Sequence, residues 1–234
     1  MPTTPTARTA PPFAKLRAIG RAPLFWITVV VLGALVFLPA YFSSYTYILG
    51  LLTIAFYLAV WSMGWDLLFG FAGEVNFGPS FLVALGAYTA GMLNYHFGTP
   101  IWLCLVAASV VAVLGGFIMA LPALRVTGPY FALTTLVAVL IMQNLVIVFA
   151  GATGGEIGLV VPDIITFDPV ANYYIALGFM TVSGAILYGL ARSPFGLILE
   201  AAGQDPVETA ALGFNVAKHK LAAFCVSAFF TGLG

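Results

Sequence analysis

Hydrophobic residues in this chain form long uninterrupted segments, and short polar stretches separate them. The first segment, residues 24–42, contains no charge and is long enough to cross a bilayer of about 30 Å at about 1.5 Å per residue. A signal peptide is the alternative, but its apolar core would be only about 7–15 residues long. The pattern predicts spans at 24–42, 47–63, 80–95, 101–121, 130–150, 173–191 and, incompletely, 221–234. The sequence therefore predicts an all-α integral membrane protein, a polytopic helical bundle.

The two ends of the chain differ from this core. Residues 1–22 are rich in Pro and Thr and predict a flexible basic tail, whereas 23–234 form the predicted transmembrane domain. The last apolar segment, 221–234, is too short to cross a bilayer. We therefore expect the chain to be a fragment.

Composition supports a membrane protein and excludes several other classes. The chain is 62% hydrophobic and 7% charged, whereas soluble domains carry roughly a quarter charged residues. Cys104 and Cys225 lie inside apolar segments and predict no disulfide framework. The sequence has no metal-ligand spacing and no nucleotide or dinucleotide motif. It therefore predicts no catalytic residue, no metal site and no cofactor in this chain.

The distribution of charge predicts an orientation. If the N-terminus is cytosolic, all eight Lys and Arg residues fall on the cytosolic side, with Arg125 near the lipid headgroups. The opposite side receives residues 151–172, which contain Glu156, Asp163 and Asp168 but no Lys or Arg. The sequence therefore predicts a multi-pass protein of the inner (plasma) membrane with a cytosolic N-terminus.

A glycine-rich stretch at 64–79 follows the second span and carries polar side chains. Its four glycines and one proline disfavour a regular helix, and its ionisable groups are costly near hydrocarbon. It predicts a broken or re-entrant segment that lines a substrate pathway, although an ordinary cytosolic turn is the alternative. The candidate pathway residues are Asp66, Gly73, Glu74, Asn76 and Gly78.

Three further features leave more than one interpretation open. In the third span, the pairs Gly86/Ala90 and Ala87/Gly91 have a spacing that favours close helix packing. Gln143 and Asn144 could bond another helix or face the pathway. The external glycine-rich segment 151–158 could be a lid, a docking site or a plain connector.

The loop at 192–220 contains a short helix with signals for both ends. Asp205 is a predicted N-cap, Pro206 fits the first helical position, Glu208 closes a capping box, and Gly213 is a left-handed stop. Before it, Ser193 and Pro194 begin another predicted helix, which lies along the membrane surface and ends at Gly203. The capped helix either contacts a partner or is a solvated connector.

With these segments identified, the chain resembles the permease subunits of branched-chain amino acid ABC importers, a group that also includes urea and short-chain amide importers. The resemblance extends from about residue 47 to 234 and rests on six ordered segments, at 70–78, 86–90, 124–130, 153–159, 191–196 and 210–216, the last of which leads to 220–221. The chain departs from the common pattern at Glu74, where Gln is frequent, at Asn76, where Ser is, and at Pro79, where His is. These departures leave the solute open.

The resemblance implies partners and a coupling role. A permease of this kind pairs with a second permease, cytosolic ATP-binding subunits and an external solute-binding protein, within membrane lipid and without nucleic acid. ATP would be bound by a partner, not by this chain. The coupling segment that docks on the ATPase would be residues 200–213. The residues implied are Glu200, Ala201, Asp205, Glu208, Ala210, Ala211 and Gly213.

The preferred hypothesis is the permease subunit of an ATP-driven importer of branched-chain amino acids. The main alternative is a passive channel or facilitator for a small polar solute such as urea, which would leave the capped helix without a purpose. A membrane-embedded enzyme is the third alternative. It would require clustered His, Asp or Ser side chains at membrane depth, but only Asp66, Glu74 and Asn76 lie near each other.

Overall fold

The computed structural model describes residues 23–42, 45–123, 129–159, 161 and 165–234 of the chain. The predicted basic tail at 1–22, Arg125 and Asp163 lie outside these residues. The described part is helical and contains no strand. Helix α1 and the first turn of α2 belong to one compact unit, which ends at Leu49, and residues 50–234 form another.

The predicted apolar segments all fall on helices. The helices are α1 (Pro23–Phe42), α2 (Thr46–Asp66), a π-helical turn (Leu67–Phe71), α3 (Pro79–Phe97), α4 (Ile101–Ala123), α5 (Pro129–Val148), α6 (Ala150–Thr153), α7 (Pro169–Ala191), α8 (Pro194–Gln204), α9 (Pro206–Ala211) and α10 (Val216–Leu233). Four described helical segments are long and apolar enough to span a membrane, namely Thr46–Phe71, Ile101–Pro122, Pro129–Val148 and Pro169–Ala191. The all-α, multi-pass membrane architecture is therefore confirmed.

Helices α3, α4 and α10 form the closely packed centre of this unit. Small residues allow the contact: a Cβ placed on Gly86 of α3 would collide with the carbonyl group of Gly232 on α10. A Cβ placed on Gly116 of α4 would lie 2.6 Å from the Cβ of Ala228. The prediction that Gly86 serves helix packing is confirmed, whereas its neighbour Ala87 is exposed.

The predicted break begins later than the glycines indicate. Helix α2 continues through Gly64 to Asp66, and the π-helical turn extends to Phe71, so only residues 72–78 are irregular. A Cβ on Gly64 would lie 3.1 Å from Oγ1 of Thr231. The prediction that helix ends at residue 63 is therefore wrong, because Gly64 allows close packing against α10 within an intact helix.

Two helices begin several residues before their predicted apolar spans. Helix α7 begins at Pro169 because Asp168 caps it, with the Val170 N–H donating to Asp168 Oδ1 at 3.0 Å. Helix α10 begins at Val216, where Asn215 Oδ1 accepts from the Lys218 N–H at 3.0 Å. The caps hold polar first turns in helical form, and hydropathy alone does not detect such turns.

Candidate functional site

The irregular segment 72–78 approaches α8 backbone to backbone. Gly73 has a φ of +67°, and a Cβ added to it would lie 3.0 Å from the Gly203 carbonyl oxygen. Conversely, a Cβ on Gly203 would lie 2.6 Å from the Phe71 carbonyl oxygen. Glycine is required on both sides of this contact, and at Gly73 the backbone conformation also favours it.

Asn76 organises the irregular segment from inside. Its side chain is 1% exposed, and its Oδ1 accepts from the Gly78 N–H at 2.8 Å. The Trp65 indole N–H donates to the Asn76 backbone carbonyl at 2.7 Å, which ties the segment to the end of α2. The Asn76 Nδ2 is buried and has no hydrogen-bond partner among the described residues. The amide oxygen therefore fixes the turn, while the amide NH2 group makes no hydrogen bond within the described residues.

The segment is also fixed to α5, well inside that helix. The Phe77 N–H donates to Thr135 Oγ1 at 2.9 Å. Thr135 lies six residues beyond Pro129, the first residue of α5, which corresponds to about 9 Å along the helix axis. A turn at the membrane surface would lie near the end of α5. The observed position favours a break at membrane depth.

The carboxylate of Glu74 is paired. Lys220 Nζ lies 2.5 Å from Glu74 Oε1, and the two side chains are 13% and 16% exposed, respectively. The Glu74 N–H also donates to the Leu68 carbonyl at 3.1 Å. A charge-assisted hydrogen bond of this kind is among the stronger polar contacts in proteins. It links the irregular segment to the first turns of α10.

The structure thus brings most of the candidate pathway residues into one site. Glu74, Asn76 and Gly78 lie in the irregular segment, Gly78 close to Met119, and Gly73 contacts Gly203. Asp66 is exposed at the end of α2. Whether these residues line the solute pathway stays a prediction.

Sequence reasoning missed three partners of this site: Lys220, Thr135 and Gly203. For Lys220 a signal was present, because an acid at membrane depth usually pairs with a cation. Lys220 directly precedes the last apolar segment and so could have been matched to Glu74. Thr135 and Gly203 carry no local pattern that connects them to the break.

The short helix α9 forms where the sequence predicts it. Asp205 Oδ1 accepts from the backbone N–H groups of Val207 at 2.8 Å and Glu208 at 2.9 Å. Gly213 follows with a φ of +91°, as the predicted left-handed stop requires. The reciprocal half of the capping box is absent, because the Asp205 N–H donates to the Ala201 carbonyl at 2.9 Å. Asp205 ends α8 and begins α9 at once, so its N–H is not available to Glu208.

The outward face of this region is apolar as well as charged. The candidate coupling residues Glu200, Ala201, Glu208, Ala210 and Ala211 are all exposed. Two large side chains beside them, Val207 and Leu212, are 76% and 77% exposed. Thr209 is buried and its hydroxyl donates to the Asp205 carbonyl at 2.8 Å. The helix is therefore held by its inner face and presents an outer face that is both apolar and charged.

The neighbouring helix α8 forms where the sequence predicts it, without the predicted cap, and its position along the membrane surface stays a prediction. It begins at Pro194 with Ser193 in the cap position, but the Ser193 hydroxyl donates to the Leu190 carbonyl at 2.6 Å instead of capping. Leu199 and Ala202 are buried on the predicted apolar face. The helix ends at Gln204, one residue after the predicted stop at Gly203.

A cleft of about 570 Å³ lies between α3 and α5. Helix α3 contributes Ser80, Ala84 and Tyr88, which are four residues apart and so share one face. Helix α5 contributes an apolar stripe that includes Met142 and Val146, together with Gln143. Gly155 and Glu156 of the external segment also line it.

The two neighbouring amide side chains of α5 differ in their relation to the cleft. Gln143 lines it, whereas the Asn144 side chain is exposed and its Nδ2 donates to the Leu140 carbonyl of its own helix at 2.8 Å. The sequence alone leaves the roles of these neighbours open. The structure shows that only Gln143 contributes to the cleft.

The segment that is predicted to be external packs on the C-terminal end of α3. His96 Nε2 lies 3.1 Å from the Ala152 carbonyl oxygen, and the buried Thr153 donates through Oγ1 to the Val146 carbonyl at 2.7 Å. A Cβ on Gly91 would lie 3.5 Å from Val161 and 3.7 Å from Leu159. The segment is therefore an ordered cover over the end of α3, and this places Glu156 beside the cleft.

Residues 47–234 match the family described as "Branched-chain amino acid transport system / permease component". The chain is 28% identical over 211 residues to the high-affinity branched-chain amino acid transport system permease protein LivM of Salmonella typhimurium (strain LT2) and, equally, of Escherichia coli (strain K12). These matches cover 77% of this chain and 49% of each relative. The guanosine ABC transporter permease protein NupQ of Bacillus subtilis (strain 168) is 28% identical over 188 residues, covering 70% of this chain and 57% of that protein.

No solved structure matches this chain. The aligned part of the chain spans about half the length of the LivM relatives. The family match, by contrast, covers most of the chain and includes the break, the cleft and helices α8 to α10. The chain belongs to the family of permease components of branched-chain amino acid transport systems.

Proposed function

We propose that this chain is the transmembrane permease subunit of an ATP-driven importer of branched-chain amino acids. Family membership and the transport function for which the two LivM relatives are named support this solute. The chain itself acts as a transport subunit and not as an enzyme, and ATP is bound and hydrolysed on a partner subunit.

The capped helix α9 is the observation that carries the proposal. A helix of six residues has little intrinsic stability in water, yet this one is capped by Asp205 and packs against α8 and α10. Its exposed Val207, together with Leu212 just beyond its end, is unfavourable in solvent and suited to a protein groove. We assign this surface to the cytosolic ATP-binding subunit.

The position of α9 gives the ATPase a route to the break. Helix α8 contacts the irregular segment through Gly203, and α10 contacts it through the Lys220–Glu74 pair. Helix α9 lies between these two helices in the sequence and contacts both. A movement of α9 can therefore reach residues 72–78 from two sides.

The remaining components follow from the same assignment. We propose that this subunit pairs with a second homologous permease subunit and with an external solute-binding protein. We also propose that it lies in the inner membrane with its N-terminus in the cytosol. The described Lys and Arg residues lie in this region: Arg192 precedes α8, and Lys218 and Lys220 lie in the first turns of α10. This supports a cytosolic location for this end.

A nucleoside is the second candidate solute, because the relative NupQ is named for guanosine. A passive facilitator remains the alternative from another class. It differs in one measurable respect, since its flux would not depend on ATP or on α9.

The test is to express the full-length protein with its neighbours, purify the complex and identify its components by mass. The complex is then placed in vesicles with ATP inside, and uptake of leucine and of guanosine is measured. Co-purification of an ATPase and ATP-dependent leucine uptake support the proposal. Guanosine uptake without leucine uptake would transfer the assignment to nucleosides, and ATP-independent flux would favour the facilitator.

A further inference from the structure

The cleft between α3 and α5 has the lining of a small-molecule site. Its volume of about 570 Å³ lies within the range of ligand pockets, about 300–1,000 Å³. Most of the lining is apolar, and the polar groups are few: Ser80, Tyr88, Gln143 and Glu156. A mainly apolar wall with a few placed polar groups is the pattern that binds amphiphilic solutes.

The cleft extends along the direction that a solute has to travel. Ser80 and Tyr88 are eight residues apart on α3, or about 12 Å along its axis. Ser80 lies one residue after the start of α3 and so borders the irregular segment. Glu156 belongs to the external segment. The cleft therefore extends from the external segment toward Glu74 and Asn76.

The charge of the lining selects one kind of solute. Glu156 is exposed, and no described Lys or Arg pairs with it or lines the cleft. A free carboxylate attracts a cation, and the amide of Gln143 and the phenol of Tyr88 can donate hydrogen bonds to a carboxylate. The aliphatic residues Val139, Met142 and Val146 provide contact for an apolar side chain.

We propose that the cleft between α3 and α5 is the solute-binding passage of this subunit, and that Glu156 receives the ammonium group of an aliphatic amino acid. Gln143 hydrogen-bonds the polar end of the solute inside the cleft. This inference rests on the proposed function for the identity of the solute. It adds the location of the passage and the group that distinguishes an amino acid from an uncharged solute.

The side-chain geometry of α5 supports this assignment. An amide that faces lipid is costly unless it is satisfied. Asn144 meets this requirement through the Leu140 carbonyl of its own helix, whereas Gln143 is directed to the cleft.

Occupancy can be tested directly by protection from thiol labelling in the assembled transporter. Ala84→Cys places a thiol in the cleft, and Ala87→Cys places one on the same helix but outside it. Vesicles carrying the full complex are treated from outside with a small thiol reagent, with and without leucine. The unsubstituted protein gives the background from Cys104 and Cys225.

We expect leucine to slow labelling of Ala84→Cys and to leave labelling of Ala87→Cys unchanged. In the protection assay, Glu156→Gln should raise the leucine concentration for half-protection by about tenfold or more, as loss of a charge-assisted hydrogen bond implies. Gln143→Ala should raise it as well, and the matched variant Asn144→Ala should not.

The outcomes separate this inference from the proposed function. If the unsubstituted complex imports leucine but leucine does not protect Ala84→Cys, the cleft is not the passage. If leucine protects Ala84→Cys but Glu156→Gln and Asn144→Ala behave alike, the role of Glu156 is wrong. If the unsubstituted complex does not import leucine, the proposed function fails and the inference fails with it.

Discussion

The Lys220 ammonium lies 2.5 Å from the Glu74 carboxylate, although 146 positions separate the two residues in the sequence. Both side chains are largely buried, at 13% and 16% exposure. The pair fixes the irregular segment 72–78 to α10, the helix that follows α9. The charge that makes the break costly in a membrane is thus neutralised by a helix that also contacts α9.

This pair predicts a specific pattern of stability. Removing one partner of a buried pair costs about 3–5 kcal/mol, because the other charge remains buried without compensation. Since both residues keep slight exposure, we expect Glu74→Gln or Lys220→Met to lower the free energy of unfolding by about 2–3 kcal/mol. The midpoint of thermal unfolding of the purified protein measures this effect.

The double variant Glu74→Gln with Lys220→Met is the control for the pair. It removes both charges, so its loss should be smaller than the sum of the single losses. Glu200→Gln, at an exposed glutamate, should leave the unfolding midpoint unchanged. Additive single losses would show that the two residues do not interact in the folded protein.

The contact between Gly86 and Gly232 makes a second prediction. A methyl group on Gly86 would collide with the Gly232 carbonyl, so Gly86→Ala should separate α3 from α10. Overpacking of this kind costs about 1–3 kcal/mol. Gly178→Ala in α7 is the matched control, because a Cβ there meets no atom within 4 Å. A thermal midpoint for Gly86→Ala equal to that of Gly178→Ala would contradict the packing described here.

Orientation is tested by labelling at two exposed positions. Gln204 ends α8, and Ala152 lies in the external segment. In intact cells, an impermeant thiol reagent should label Ala152→Cys, and it should label Gln204→Cys only after the membrane is opened. Labelling of Gln204→Cys from outside would overturn both the topology and the assignment of α9 to a cytosolic partner.

Hydropathy predicts the spans well because lipid imposes a strong and local requirement on side chains. It fails where capping extends a helix into polar sequence. Asn215 begins α10 before Lys218, His219 and Lys220, whose charges and polarity resemble those of a loop. Recognising Asn215 as a cap would have placed Lys220 on the same helix as the last apolar segment. Lys220 would then have been a candidate partner for Glu74.

The sequence identifies Glu74 and Asn76 as site residues, but it does not identify the residues that contact them. Glu74 and Asn76 are conspicuous in the sequence because polar groups are rare at membrane depth. Their partners depend on tertiary packing: Glu74 meets Lys220, and the turn that contains Asn76 reaches Thr135 through the Phe77 N–H. For Gly64 the sequence pattern is misleading. The pattern assigns this glycine to the break, but it lies inside α2 and allows close packing against α10.

If α9 couples this subunit to the ATPase, transport should depend on the Asp205 cap that holds α9 folded. The Asp205 side chain accepts from two N–H groups of α9, and Glu208 does not complete the box. Loss of an N-cap costs about 0.5–2 kcal/mol, a large share of the stability of a six-residue helix. Asp205→Ala should therefore loosen α9 and reduce both solute-stimulated ATP hydrolysis and uptake, while the membrane helices remain folded.

Two further variants show whether the cap or the charge matters. Asp205→Asn keeps a capping oxygen and removes the charge, and Asn and Asp are similar as caps, so it should retain most of the activity. Ala211→Asp adds a charge to the exposed face of α9 and should block docking of the ATPase without loosening the helix. In a passive facilitator all three variants would leave flux unchanged, because nothing docks on α9. Normal transport by Ala211→Asp would therefore count against the importer assignment even if the protein binds its solute.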